Sequence, residues 1–310
     1  MRPDPGELRT PEELATLYEL EPEIRDIIVE GRSDEQTFRW YTSATRPEGL
    51  VRVYAVSDRV HLPDADLLEH GLLTGERSRV LHLSQRATRL GVHDRSLRLV
   101  IDADFLSLGL DTDAENGYLL RTDYSSLEAY AFNDATIGKL LTMGLGAPER
   151  VTAQGLIGAI RPVLIALFLV RACLRESGTG AGVPGKAAER MYTGRHDIDA
   201  AVEEVLRLAL DRVPRADRGP TVKTALMKRY QELVPQVRGD ARHFINGHDI
   251  SELLVQYLKA ECKNVFNHEA RRAFQAPAVM ESFLMAHLDR AQLESQPLFA
   301  AIEKWIAAAG

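Results

Sequence analysis

Cysteine is scarce in this sequence. Only Cys173 and Cys262 occur, too few for a disulfide framework and without metal-ligand spacing, so a reducing cytoplasm is the expected setting. Long apolar runs are missing as well. The most apolar stretch, PVLIALFLV at 162–170, is flanked by Arg161 and Arg171 and is far shorter than the roughly 20 residues that span a bilayer. It reads as a buried helix, and no membrane is expected among the partners. The first twenty residues are acidic and carry prolines, unlike a signal peptide, and are read as a leader. Excess positive charge is lacking too: the net charge of −7 argues against holding nucleic acid by global charge alone, while leaving room for a local basic groove.

Two phosphate-binding patterns are absent. VEGRSD follows the first predicted strand where a dinucleotide-binding domain would place G-x-G-x-x-G, and no G-x-x-x-x-G-K-[ST] occurs. A Rossmann nucleotide site is therefore disfavoured, and any use of ATP must come from another protein.

What is present is ordinary for a soluble globular chain: 310 residues, 45% apolar and 27% charged, enough for one large domain or two smaller ones. Residues 24–29 (IRDIIV) form a β-branched run ending at Glu30-Gly31, and Ser33 with Gln36 then reads as a capping box opening a helix. Strands are predicted at 51–57, 97–104 and 117–123, and helices at 76–90 (stopped by Gly91) and from about 125. Alternating strands and helices indicate a parallel α/β sheet. Beyond residue 143 the spacing is helical throughout, over 151–175, 197–213, 219–234, 248–264, 278–290 and 297–308, with GTGAGVPG (178–185) as a linker. The predicted plan is a leader (1–20), an α/β domain (21–143) and an all-helical domain (144–310).

In a parallel sheet, ligands gather beyond the carboxyl ends of the strands. Glu30 ends the first strand, and Asp102 and Asp104 end the third. Strand side chains alternate, so Asp102 and Asp104 can face one side. Acids brought to one sheet edge repel unless a cation neutralises them, and hard oxygen donors suit Mg²⁺ or Mn²⁺. An isolated D-x-D more often caps a turn; the pairing with Glu30 is what makes the pattern specific.

IIVEGRSDEQTF followed by LVIDADF resembles the Toprim domain. With RTDYSSLEAY and the later NGHDISELL, the chain is similar to stand-alone Toprim proteins with a helical C-terminal half, which sit beside ABC-type ATPases in bacterial defence loci. The effector of the PARIS anti-phage system is one of these, and the OLD-family nucleases are more distant. The resemblance implies a Toprim-type parallel sheet flanked by helices and a metal-dependent nuclease acting on RNA (tRNA among the substrates) or DNA, released by an ATPase partner. It implies Glu30 as general acid/base or metal ligand, Asp102 and Asp104 as metal ligands, and Glu128 as a further acid for a second ion. First-turn helix electrostatics is the plain alternative for Glu128.

His248 reads either as a turn residue before an Asp249 N-cap or as a catalytic donor to a substrate phosphate. Substrate-binding candidates are Arg32, Lys223, Lys228 and Arg229, with Arg242, His243, Arg271 and Arg272 beside them, although such charges are usually a solvated face. Tyr230 and Phe244 are the neighbours suited to base stacking. Trp40 is expected to pack on the sheet. A homodimer fits an effector held inactive and then released. The competing reading is a non-catalytic binding or signalling module docked to an ATPase scaffold.

Overall fold

In the computed structural model, residues 8–43, 51–111, 116–214, 219–262, 264–267 and 269–308 are described. The chain packs as two units, one of residues 1–102, 112–123 and 290–310, the other of 103–111 and 124–289. The sequence boundary at 143/144 follows the change of period, whereas packing groups the last twenty-one residues with the sheet.

In the first unit, α1 (Pro11–Leu20) precedes β1 (Arg25–Val29), α2 (Arg32–Ser43), β2 (Val51–Ala55), α3 (Val56–Arg59), α4 (Asp64–Glu69), α5 (Glu76–Arg89), β3 (Leu97–Ile101) and β4 (Leu119–Arg121). The four strands form an all-parallel sheet in the order β2-β1-β3-β4, as the alternation of elements predicts. β1 is buried along its whole length, because helices cover both faces of a parallel sheet and leave no wet side. Ile28, Leu97, Leu99 and Ile101 join Leu14, Val80 and Leu83 in one apolar cluster.

Several local expectations shift. Within the predicted leader, Thr10 and Glu13 form a capping box for α1, which buries Leu14 and Tyr18. Helix α2 begins at Arg32, one residue before the predicted Ser33 cap, and the Asp34 carboxylate accepts the Gly31 N–H at 2.9 Å. Trp40 is 44% exposed rather than packed on the sheet; its neighbours Phe38 and Tyr41 instead meet Phe299, at ring separations of 5.4 and 4.7 Å. Gly91, at φ +66°, ends α5 in the left-handed region as expected of a helix stop.

The second unit is helical. Its central helix, Ala153–Glu176, is N-capped by Thr152 and carries twelve buried residues, Leu164 and Phe168 among them. By length and composition it passes as a membrane span, yet 61% of its most apolar window is buried against the unit's own helices. The 162–170 run is thus a core helix. Cys173 and Cys262 are both unpaired and buried.

Candidate functional site

Two places gather the residues singled out by the sequence. The first is the carboxyl edge of the sheet. Val29 on β1 pairs with Val100 on β3, so Glu30 and Asp102, the residues that follow the two strands closely, emerge side by side at the same edge. The Asp102 N–H donates to Glu30 Oε1 at 2.9 Å. Arg77, in the first turn of α5, donates to the Asp102 carbonyl at 2.6 Å and holds its guanidinium 3.7 Å from Glu30 Oε1. Arg77 carries no sequence signal, because only the tertiary fold brings α5 to the ends of β1 and β3. Both acids offer hard oxygen donors, and Glu30 keeps 21% of its side chain exposed, so the donor set fits Mg²⁺ or Mn²⁺.

Asp104 is reached differently from the way the alternation argument supposes. β3 stops at Ile101, so the period-two rule no longer governs residues 102–104. Asp104 stands at φ +42° in a turn, a conformation that Asp tolerates better than most side chains, and its N–H donates to the Ser125 carbonyl at 2.8 Å. Within the second unit it is therefore tied to the segment that carries Glu128.

The second place lies wholly within that unit. Glu128 sits on a short 3-10 helix (Leu127–Ala131), where the sequence predicts an α-helix from about 125. Ser125 is bound instead: its Oγ donates to the carbonyls of Arg242 (2.8 Å) and Ile245, which fixes the segment in extended form before it coils. Glu128 is only 6% exposed. Burial, with the charge of Glu281 adding to it, pushes its carboxyl above the usual range, offset in part by a backbone hydrogen bond and by His248.

His248 is the second residue of the helix Gly247–Glu261, whose N-cap is Asn246, with its side chain accepting the His248 N–H at 3.2 Å. Asp249 is therefore not the cap. It is buried and accepts a two-pronged bond from Arg171 at 2.6 and 3.1 Å. The His248 ring is exposed, and its Nδ1 lies 2.8 Å from Glu281 Oε2 on the helix Pro277–Met285. That carboxylate raises the imidazole to about 9. One ligand atom from each of Glu128, His248 and Glu281 lies within 4.8 Å of the others. Glu281 was invisible in the sequence: no spacing links an acid on one helix to a His on another.

The substrate-binding candidates are engaged with acids. Arg32 pairs with Asp58 at 2.9 Å, Lys223 with Glu203 at 2.6 Å, and Arg229 with Glu176 at 2.9 Å, while Lys228 lies 3.9 Å from Glu232. These fit the solvated-face reading. Tyr230 and Phe244 are each 4% exposed and so offer no ring to a base. Arg242 is held by Asp240 and lies 3.9 Å over the Tyr124 ring, against which His243 also packs. No protein-family model matches the chain, and no curated protein matches it.

Proposed function

We propose that this chain is a metal-dependent nuclease of the Toprim type, cleaving phosphodiester bonds of RNA, tRNA among the candidates, or of DNA. In this reading it is the cytoplasmic effector of an anti-phage defence system, working with a partner ABC-type ATPase. The observation that carries the reading is the pairing of Glu30 and Asp102 at the ends of adjacent parallel strands, the position where α/β sheets place their ligands. Glu30 and Asp102 would hold Mg²⁺ or Mn²⁺, which when bound supplies Lewis-acid stabilisation of phosphate oxygens and a more acidic water. Glu30 accepts or returns the proton of the attacking water. Arg77 offsets the negative charge of the acids, and its bond to the Asp102 carbonyl fixes the backbone that presents them.

The test is incubation of purified protein with plasmid, single-stranded DNA and total tRNA in Mg²⁺ or Mn²⁺, beside Glu30→Ala. Cleavage by the wild type and its loss in the variant is the expected result. A second reading, a non-cutting module docked on an ATPase scaffold, draws support from the pairing of Arg32, Lys223 and Arg229 with acids of the same chain. Absence of cleavage, together with equal growth of cells expressing wild type or Glu30→Ala with the ATPase, would establish that reading instead.

A further inference from the structure

The second unit converges one imidazole and two carboxylates from three elements, the 3-10 helix Leu127–Ala131, the helix Gly247–Glu261 and the helix Pro277–Met285. An exposed His–Glu ion pair explains His248 and Glu281. It does not explain Glu128, a buried acid set within 4.8 Å of a second acid, since like charges out of water oppose each other's ionisation. The N-terminus of the helix Gly247–Glu261 offsets part of that cost.

A further observation points to a ligand. Ser126 is 6% exposed, and its Oγ makes no hydrogen bond of good geometry among the described residues. Its polar neighbour is the Glu128 carboxylate, whose ionised form it favours. A Cβ on Gly247 would overlap that carboxylate and lie 2.7 Å from Ser126 Oγ, so both oxygens converge on the space that glycine leaves open. Buried hydroxyls without a well-formed hydrogen bond are uncommon and call for an explanation such as an ion or a water.

We propose that Glu128, His248 and Glu281 bind one divalent transition-metal ion, of the Zn²⁺ or Mn²⁺ class. A nitrogen donor beside two carboxylate oxygens favours such ions over Mg²⁺ and Ca²⁺, which prefer oxygen alone. Three protein ligands leave a position for water, which Ser126 Oγ is placed to hydrogen-bond. The site is built within one unit and does not depend on the strand-end acids or on any cleavage reaction.

The test uses the full chain, free of any affinity tag and stripped with EDTA. Zn²⁺ is titrated by calorimetry, and Co²⁺ serves as an optical probe. Wild type should take up one Zn²⁺ that Glu30→Ala retains and His248→Ala loses. Glu281→Gln should bind at least about tenfold more weakly, since even outer-shell changes cost that much. The Co²⁺ spectrum should lack a thiolate charge-transfer band, excluding Cys173 and Cys262. His248 is exposed, so His248→Ala should keep the wild-type circular dichroism and decide the matter even if Glu281→Gln misfolds. Uptake unchanged in His248→Ala, or lost only in Glu30→Ala, or no uptake by the wild type, would each overturn the proposal. None of these readouts involves nuclease activity, so the two proposals fail separately.

Discussion

Removing Arg171 should destabilise the helical unit more than removing its partner Asp249. The two share a two-pronged ion pair at 2.6 and 3.1 Å, with side chains 31% and 4% exposed respectively. Arg171→Ala leaves a carboxylate with almost no access to water, and an orphaned buried charge costs about 3–5 kcal/mol. Asp249→Ala leaves a guanidinium that still reaches solvent, for which about 2 kcal/mol is the expected cost. Added independently, the two would cost about 5–7 kcal/mol. The double variant leaves neither orphan, so the coupling should be about 2–3 kcal/mol, the upper range for groups in direct contact. The exposed pair Lys223–Glu203, 32% and 54% exposed, supplies the control, with an expected coupling of about 0.2–1 kcal/mol. Urea unfolding followed by far-UV circular dichroism is the assay, because both tryptophans, Trp40 and Trp305, belong to the sheet unit. A coupling below about 0.5 kcal/mol, or a larger loss for Asp249→Ala than for Arg171→Ala, would refute the reasoning.

The sheet unit should lose stability in mild acid through His82, which is 3% exposed and whose imidazole is held below its ordinary value by burial and by the neighbouring His70. A depressed folded-state value means the unfolded chain takes the proton first. The stability is therefore complete above about pH 6.5 and declines as pH falls from there through the folded-state value; tryptophan fluorescence should show the decline flattened in His82→Phe. At the start of the central helix, Thr152 Oγ1 accepts the Gly155 N–H at 3.1 Å, and Thr152→Ala should cost about 1 kcal/mol in urea unfolding. Gly158, in the same helix, has nothing within 4 Å of the point where an alanine methyl would stand, so Gly158→Ala should raise stability by about 0.5–1 kcal/mol. A loss there would mean that this face of the helix is covered in solution.

The sheet edge was readable from sequence because it depends on local order. β-branched runs ending at Glu30 and before Asp102 define strands, and capped or glycine-stopped segments such as the helix before Gly91 define what lies between them. Those signals involve residues within a few positions of one another, where periodicity and turn chemistry act. They determined the parallel sheet, the helical second half and the placing of Glu30 and Asp102 at strand ends of one sheet, whereas the pairing of β1 with β3 that sets the two acids side by side was decided by packing.

What only the tertiary structure decided involves partners remote in sequence. Nothing near Arg77 marks it as a neighbour of Glu30, and nothing near Glu281 marks it as the partner of His248. Asp249 looks like a cap until Arg171 arrives from another helix and takes its carboxylate, leaving Asn246 to cap. Lys223 and Arg229 look like a basic face until Glu203 and Glu176 neutralise them. Charge and hydrogen-bonding capacity are properties of a residue, but which group satisfies them is settled by packing, and packing places Glu128, His248 and Glu281 around a common point.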